Sequence, residues 1–290
     1  MRTTIAIIIT GALALSTLSC KQPATEEKKE PVQAAKVTDE WTLGVQLWTF
    51  HKFDFVTAVK KADSSGLKIM EAFPGQKLGG DFGDTVFSEK MSAEARAKVK
   101  AWLQSVGMSI VAYGVVVPQT PKEWSDVFAF AKDMGIRYIT AEPLKEHWNA
   151  VDSMAGATGI RVAIHDHPKP SAYWHPDSVT AAMQGRPNIG ACADIGHWAR
   201  NGLDPVECLK TLEGRIYGLH LKDVAEKGKV DAADRIPGTG VIDIPAVMAE
   251  LKRQRFTGHF SIEHEDNWDN NVPDVKQIVA YFGEQKSKLE

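Results

Sequence analysis

The chain has 290 residues, 43% of them hydrophobic and 24% charged, with a formal net charge of −3. These values are ordinary for a globular enzyme and supply no basic field for nucleic acid. Two segments at the start depart from that average.

Arg2 precedes the apolar stretches Ile5–Ile9 and Gly11–Leu15, which lead to Ser19-Cys20. A positive start with an apolar run too short to span a bilayer reads as an export signal over residues 1–20. It resembles a bacterial lipoprotein signal, which implies lipidation at Cys20, membrane anchoring and a location outside the cytoplasm, on the periplasmic or outer-membrane side. Thr17 stands where such signals usually carry Leu. Residues 21–40 hold Glu26, Glu27, Lys28, Lys29 and Glu30 with few apolar side chains, the composition of a disordered tether. The other two cysteines, Cys192 and Cys208, are expected as buried free thiols.

From Trp41 the pattern alternates strand and helix. Strands are expected at Thr42–Trp48, Leu67–Glu71, Ser109–Tyr113, Arg137–Thr140, Arg161–His165, Ile189–Asp194, Ile216–Leu221 and His259–Glu263. Each is short, rich in branched apolar residues and mostly continuous, as strands buried on both faces should be. Thr120-Pro121-Lys122-Glu123 and Asp204-Pro205-Val206-Glu207 each place a cap, a proline and an acidic residue where a helix begins. Ala93–Val106 has helical spacing and stops at Gly107, and a last helix runs from Asp274 to about Gln285. Eight such units over residues 41–290 predict an α/β fold, a (β/α)8 TIM barrel in a single domain. A doubly wound sheet fits less well, because no Gly-rich phosphate loop follows the first strand.

In a barrel the C-terminal strand ends form the active face. Here they carry Trp48 and His51, Glu71, Glu142, His165 and His167, Asp194 and His197, His220 and Lys222, and Glu263. Singly, each has an ordinary explanation as a cap, a core histidine or a surface charge. Together in one pocket, carboxylates and imidazoles would perturb one another's ionisation unless a cation held them. A divalent metal satisfies that need. The mixed oxygen and nitrogen donors suit manganese, cobalt, zinc, magnesium or iron without choosing among them. Trp48 and Trp198 are candidate walls for a sugar ring, and His51, Glu71, His197, Lys222 and Arg235 are candidate substrate contacts.

Residues 41–285 resemble the sugar phosphate isomerase/epimerase superfamily, the xylose isomerase-like TIM barrels. The resemblance rests on Gly44-Val45-Gln46-Leu47-Trp48, Asp194-Ile195-Gly196-His197, His220-Leu221-Lys222-Asp223, Pro237–Asp243 and Ser261-Ile262-Glu263. It implies metal ligation by Asp194, His220 and Glu263, substrate contact by His197, and proton transfer α to a carbonyl by paired carboxylates. The superfamily commonly has a Glu ligand at the end of strand five, where this chain has His165. Glu142, on the neighbouring strand, is the expected replacement, both as ligand and as catalytic carboxylate beside Glu263. His165 or His167 is then the second acid/base group. The pair His165-Asp166-His167 is similar to the inosose dehydratase branch, which implies elimination as the alternative to epimerisation.

The expected activity is therefore that of a metal-dependent isomerase or epimerase on a small carbohydrate. Export favours an unphosphorylated keto-sugar, and a keto-sugar dehydratase or keto-glycoside lyase is the alternative. A sugar-binding lipoprotein without catalysis and a relative of the AP endonucleases are the rival classes; charge and export oppose the latter, so no nucleic-acid partner is expected. Assembly as a homo-oligomer is compatible with this reading, and the sequence does not decide it.

Overall fold

The computed structural model describes residues 40–289. The signal, Cys20 and nearly all of the tether lie outside the described residues. Among the described residues, no helix is long and apolar enough to cross a membrane.

Eight parallel strands close into a barrel: β1 (Thr42–Gln46), β2 (Ile69–Ala72), β3 (Ser109–Val116), β4 (Tyr138–Ala141), β5 (Arg161–His165), β6 (Ile189–Asp194), β7 (Ile216–Leu221) and β8 (His259–Ile262). Consecutive strands pair, and β1 closes on β8 with Thr42 opposite His259 and Val45 opposite Ile262. Helices α1 (Phe55–Ser64), α2 (Ala93–Ser105), α3 (Pro121–Met134), α4 (Trp148–Thr158) and α5 (Pro176–Met183) cover the first half. The second half carries α6 (Ile195–Arg200), α7 (Pro205–Thr211), α8 (Ile244–Arg253) and α9 (Val272–Lys288).

The helix signals act as expected. Glu123 N–H donates to Thr120 Oγ1 at 3.2 Å, and Val206 N–H to Asp204 Oδ1 at 2.8 Å, so both caps satisfy otherwise orphaned amides. The last helix starts two residues before the expected Asp274, because Pro273 takes its first turn. The sequence pattern also missed α6, a short helix wedged between β6 and α7; Asp194 caps it by accepting from His197 N–H at 2.8 Å.

β1 is shorter than expected. Gln46 Oε1 accepts from Trp48 N–H at 3.2 Å and turns the chain into a 3₁₀ segment over Leu47–Phe50, which lifts Trp48 to the barrel mouth. The main apolar core lies between barrel and helices, around Phe55, Phe87, Trp124, Phe130, Leu209 and Met248. Trp198 belongs to this core and is fully buried. At the opposite, N-terminal mouth, Gly44 is required: a Cβ there would stand 2.3 Å from the Ile69 carbonyl oxygen and 2.7 Å from the His259 ring. Cys192 and Cys208 are buried free thiols, as expected.

Candidate active site

The C-terminal strand ends bring His165, Asp194, His220 and Glu263 together, one donor atom from each lying within 4.8 Å of the others. His220 is fully buried at the centre. Its Nδ1 is 2.9 Å from Glu263 Oε2 and 3.2 Å from His165 Nε2, and its Nε2 is 3.0 Å from Glu71 Oε2. Asp194 divides its work between two oxygens. Oδ1 caps α6, whereas Oδ2 is buried and has no hydrogen-bond donor. Around Oδ2 stand His197 Nε2 at 3.5 Å, His165 Nε2 at 3.7 Å, His220 Nδ1 at 3.7 Å and Lys222 Nζ at 3.4 Å.

A buried carboxylate oxygen without a donor is costly unless something positive meets it. Burial would raise the Asp194 pKa, but Lys222 and the His165 and His220 imidazoles outweigh it and hold the carboxylate ionised. Burial likewise opposes charge on His165, yet Asp194 and Glu142 keep its pKa up at about 9. The cluster thus draws protons onto imidazoles that a divalent ion would displace. Two imidazole nitrogens and two carboxylates, with an orphaned oxygen at their centre, fit such an ion. His165, His167 and His197 form a second donor set that shares His165.

Glu142 sits apart from the four donors. Its Oε1 accepts from the His167 ring and from His167 N–H at 3.3 Å, and its Oε2 accepts from Ser171 Oγ at 2.9 Å. Burial would raise its pKa, but His165 and His167 hold it well below the usual carboxylate range. Its oxygen comes no nearer than 3.9 Å to His165 Nδ1. Glu142, expected as a metal ligand, is thus not brought into the four-donor group; the donor nearest to it there is His165, at the end of β5.

Four expected substrate contacts do not line the open pocket over the cluster. Glu71 is fully buried beneath His220, accepting from Thr140 Oγ1 at 2.5 Å and Ser261 Oγ at 2.8 Å, so it orients the imidazole and meets no substrate. Lys222 is buried and ion-paired with Asp194, Glu263 (3.2 Å) and Glu265 (3.1 Å). Gly196 leaves room for it, since a Cβ there would lie 2.5 Å from Lys222 Cγ. Trp198 faces the core. Arg235 is exposed, its guanidinium turned to the Asp234 carbonyl oxygen at 2.9 Å.

A cavity of about 280 Å³ opens over the cluster, lined by Gln46, Trp48, Phe73, Pro74, Gly114, Val115, His167, His197, Glu263 and Glu265. His51 stands behind Trp48, outside this lining. A larger hollow of about 710 Å³ lies between α5 and α7, remote from these side chains.

Sequence reasoning missed Glu265 and its supports. Glu265 Oε1 accepts from Trp48 Nε1 at 3.1 Å, and its Oε2 from Lys222 Nζ and from Arg200 NH1 at 3.2 Å. Arg200 is held in turn by Asp234 Oδ1 at 2.6 Å. Burial opposes ionisation of Glu265, but Lys222 and Arg200 bring its pKa down to about 2. The available signal was the alternation Glu263-His264-Glu265 past the end of β8.

The sequence pattern of the family described as xylose isomerase-like TIM barrel matches residues 59–284, and the chain belongs to that family. Among solved structures, an uncharacterized protein from Parabacteroides distasonis is 34% identical, with a TM-score of 0.70 over 84% of this chain and 99% of that one. An L-ribulose 3-epimerase is 14% identical (TM-score 0.64, 85% and 94% covered). A probable 3-DHS dehydratase of petrobactin synthesis from Bacillus anthracis is 13% identical (TM-score 0.64, 83% and 98% covered). The last two show likeness of fold alone. No curated protein matches the chain in sequence.

Proposed function

We propose that this protein is a divalent-metal-dependent isomerase or epimerase that removes the proton α to the carbonyl of an unphosphorylated keto-sugar. One observation carries the reading: four donors from β5, β6, β7 and β8 surround a buried, donorless carboxylate oxygen beneath an open pocket whose wall holds acid/base side chains. His165, Asp194, His220 and Glu263 would hold the ion. When bound, it supplies Lewis acidity, polarising a carbonyl and stabilising the negative charge left by deprotonation.

The chain's own groups do the rest. His167 gives its Nδ1 hydrogen to Glu142, which assigns the tautomer and leaves Nε2 as the base facing the pocket. Arg200 NH1 lies 3.3 Å from His197 Nδ1 and donates to it, so the neutral His197 presents Nε2–H as a donor to a substrate oxygen. Glu265, kept ionised, is an acceptor for substrate hydroxyls. Among the described residues no Lys or Arg lines the pocket, and Lys222 and Arg200 are paired with carboxylates behind it. A phosphate would find no Lys or Arg side chain to pair with there, which supports an unphosphorylated substrate. Export with lipid attachment at Cys20, as the sequence suggests, agrees with that choice.

Return of a proton to the opposite face of the same carbon gives an epimer, and to the adjacent carbon an isomer. Expulsion of a β-oxygen gives a dehydratase or lyase, and this second reading is favoured by the single imidazole–carboxylate dyad at His167, which makes the two sides of the pocket unlike. The test is NMR in heavy water, with metal-loaded protein and a panel of ketoses and keto-glycosides. Deuterium should enter at one carbon only, and product structure separates the two chemistries. Binding of a carbonyl sugar without exchange would leave a sugar-binding protein instead.

A further inference from the structure

A second cavity of about 300 Å³ adjoins the first and shares Trp48 and Phe73 with it; His51, Lys52, Phe53 and Lys77 complete most of its wall. Trp48 stands between the two. It is 40% exposed, although the fold fixes it from several sides. Its indole N–H is bound to Glu265, and its ring stacks on His51 at 4.6 Å and 16°. His51 Nδ1 lies 2.9 Å from the Trp48 carbonyl oxygen, and Trp268 meets the His51 ring edge-on at 4.1 Å. Phe73 packs edge-on to Trp48 at 5.1 Å.

Folding alone does not require an immobilised indole left in water. A rigid aromatic surface binds a ring with little ordering cost and covers its apolar C–H face. Lys52 is paired with Asp269 at 3.1 Å and Lys77 with Asp84 at 3.1 Å, and Asp54 adds a carboxylate to the wall, so the cavity is not built for an anion. The first pocket alone falls just below the usual size of ligand sites, about 300–1,000 Å³, whereas the two joined fall within it.

We propose that the second cavity binds the far ring of a glycoside, a second sugar or an aryl group, whose near ring occupies the first pocket. The substrate class is then a glycoside carrying a carbonyl on its near ring, and this rests on the carbohydrate reading above. The measurement is calorimetric binding of keto-hexoses, and of disaccharides and 4-nitrophenyl glycosides that carry the same carbonyl on one ring, to the metal-loaded, full-length protein. At least one glycoside should bind tenfold or more tightly than its parent hexose. That gain should vanish in His51→Ala and in Lys77→Trp, which fills the cavity, and survive in His51→Phe. Disaccharides gaining where aryl glycosides do not would make the far ring a sugar, and the converse an aryl group. Equal affinity for hexoses and glycosides, or a gain untouched by both disruptive variants, overturns the inference. Absence of deuterium exchange with every carbonyl-bearing ligand overturns the proposed reaction instead, whatever the binding shows.

Discussion

Asp194 shows how one side chain serves fold and site at once. Its Oδ1 caps α6, so an amide in its place keeps that bond and the volume. Asp194→Asn should therefore keep α6 capped in the metal-free state, and its stability should fall by no more than about 3–5 kcal/mol, the cost of breaking one buried ion pair, because Lys222 keeps Glu263 and Glu265 as partners. Metal affinity should fall by at least about 100-fold, since a charged ligand becomes a neutral one. Calorimetry with manganese and zinc checks both, and unchanged metal affinity would remove Asp194 from the ligand set. His167→Gln should lower proton exchange by roughly 10²–10⁴ with metal affinity nearly constant, because His167 moves a proton and is not among the four ligands. Glu142→Gln, which loosens only the orientation of His167, should cost less, about 10–100-fold. Equal losses in the two variants would show that Glu142 itself reacts. Asp194, His220 and Glu263 were legible in the sequence because each terminates an apolar strand. The burial of Glu71 and Lys222 was not legible, because a strand end announces its position along the chain and not its depth in the barrel.

At the scale of elements, the clearest case is the Asp223 carboxylate and the loop Pro237–Gly240. Asp223 accepts from the backbone N–H groups of Val224, Gly238, Gly240 and Ile242, all at 2.9 or 3.0 Å. A Cβ at Gly240 would lie 2.3 Å from its Oδ1, so the motif is a loop folded around an acid. Asp223→Ala should cost at least about 3 kcal/mol by leaving these donors without an acceptor. Urea unfolding measures it, and a loss below 1 kcal/mol would mean water replaces the carboxylate. A second element-level effect sits at the barrel's other end, on β8. Burial pushes His259 down to about 4 from the usual 6.5. Between those values the unfolded chain binds a proton that the folded chain refuses, so stability is intact above pH 6.5 and is lost as pH falls toward 4. The full effect is on the order of 3 kcal/mol. His259→Gln keeps a partner for Thr42 Oγ1 and should flatten the acid limb of a melting-temperature profile between pH 4 and 7. A profile with unchanged slope would assign acid sensitivity to other groups.

For the whole molecule, the barrel was readable because its strands are largely buried on both faces and crossovers such as those starting at Thr120 and Asp204 carry a helix start signal. The strand order around the barrel then follows from closure of consecutive βαβ units. What the sequence could not show were contacts made across the mouth, between residues far apart in the chain. Trp48 with Glu265 and Glu71 with His220 are separated by 217 and 149 positions, and no local pattern relates them. The same long-range closure ties metal binding to global stability. His165, Asp194, His220 and Glu263 come from four strands, so the unfolded chain cannot present them together. An ion that binds only the folded state at 100 times its Kd adds about 2.7 kcal/mol. For a domain of this size that is a rise of roughly 5–10 °C in melting temperature. Chelator-treated protein should melt lower by that amount and regain it on adding manganese or zinc, and Asp194→Asn should show no such recovery. The cluster keeps Lys222 among its carboxylates, and that ammonium already offsets one negative charge. A recovery equal in parent and variant would mean that the ion stabilises the protein elsewhere and that Lys222 and the imidazolium protons suffice to neutralise the site.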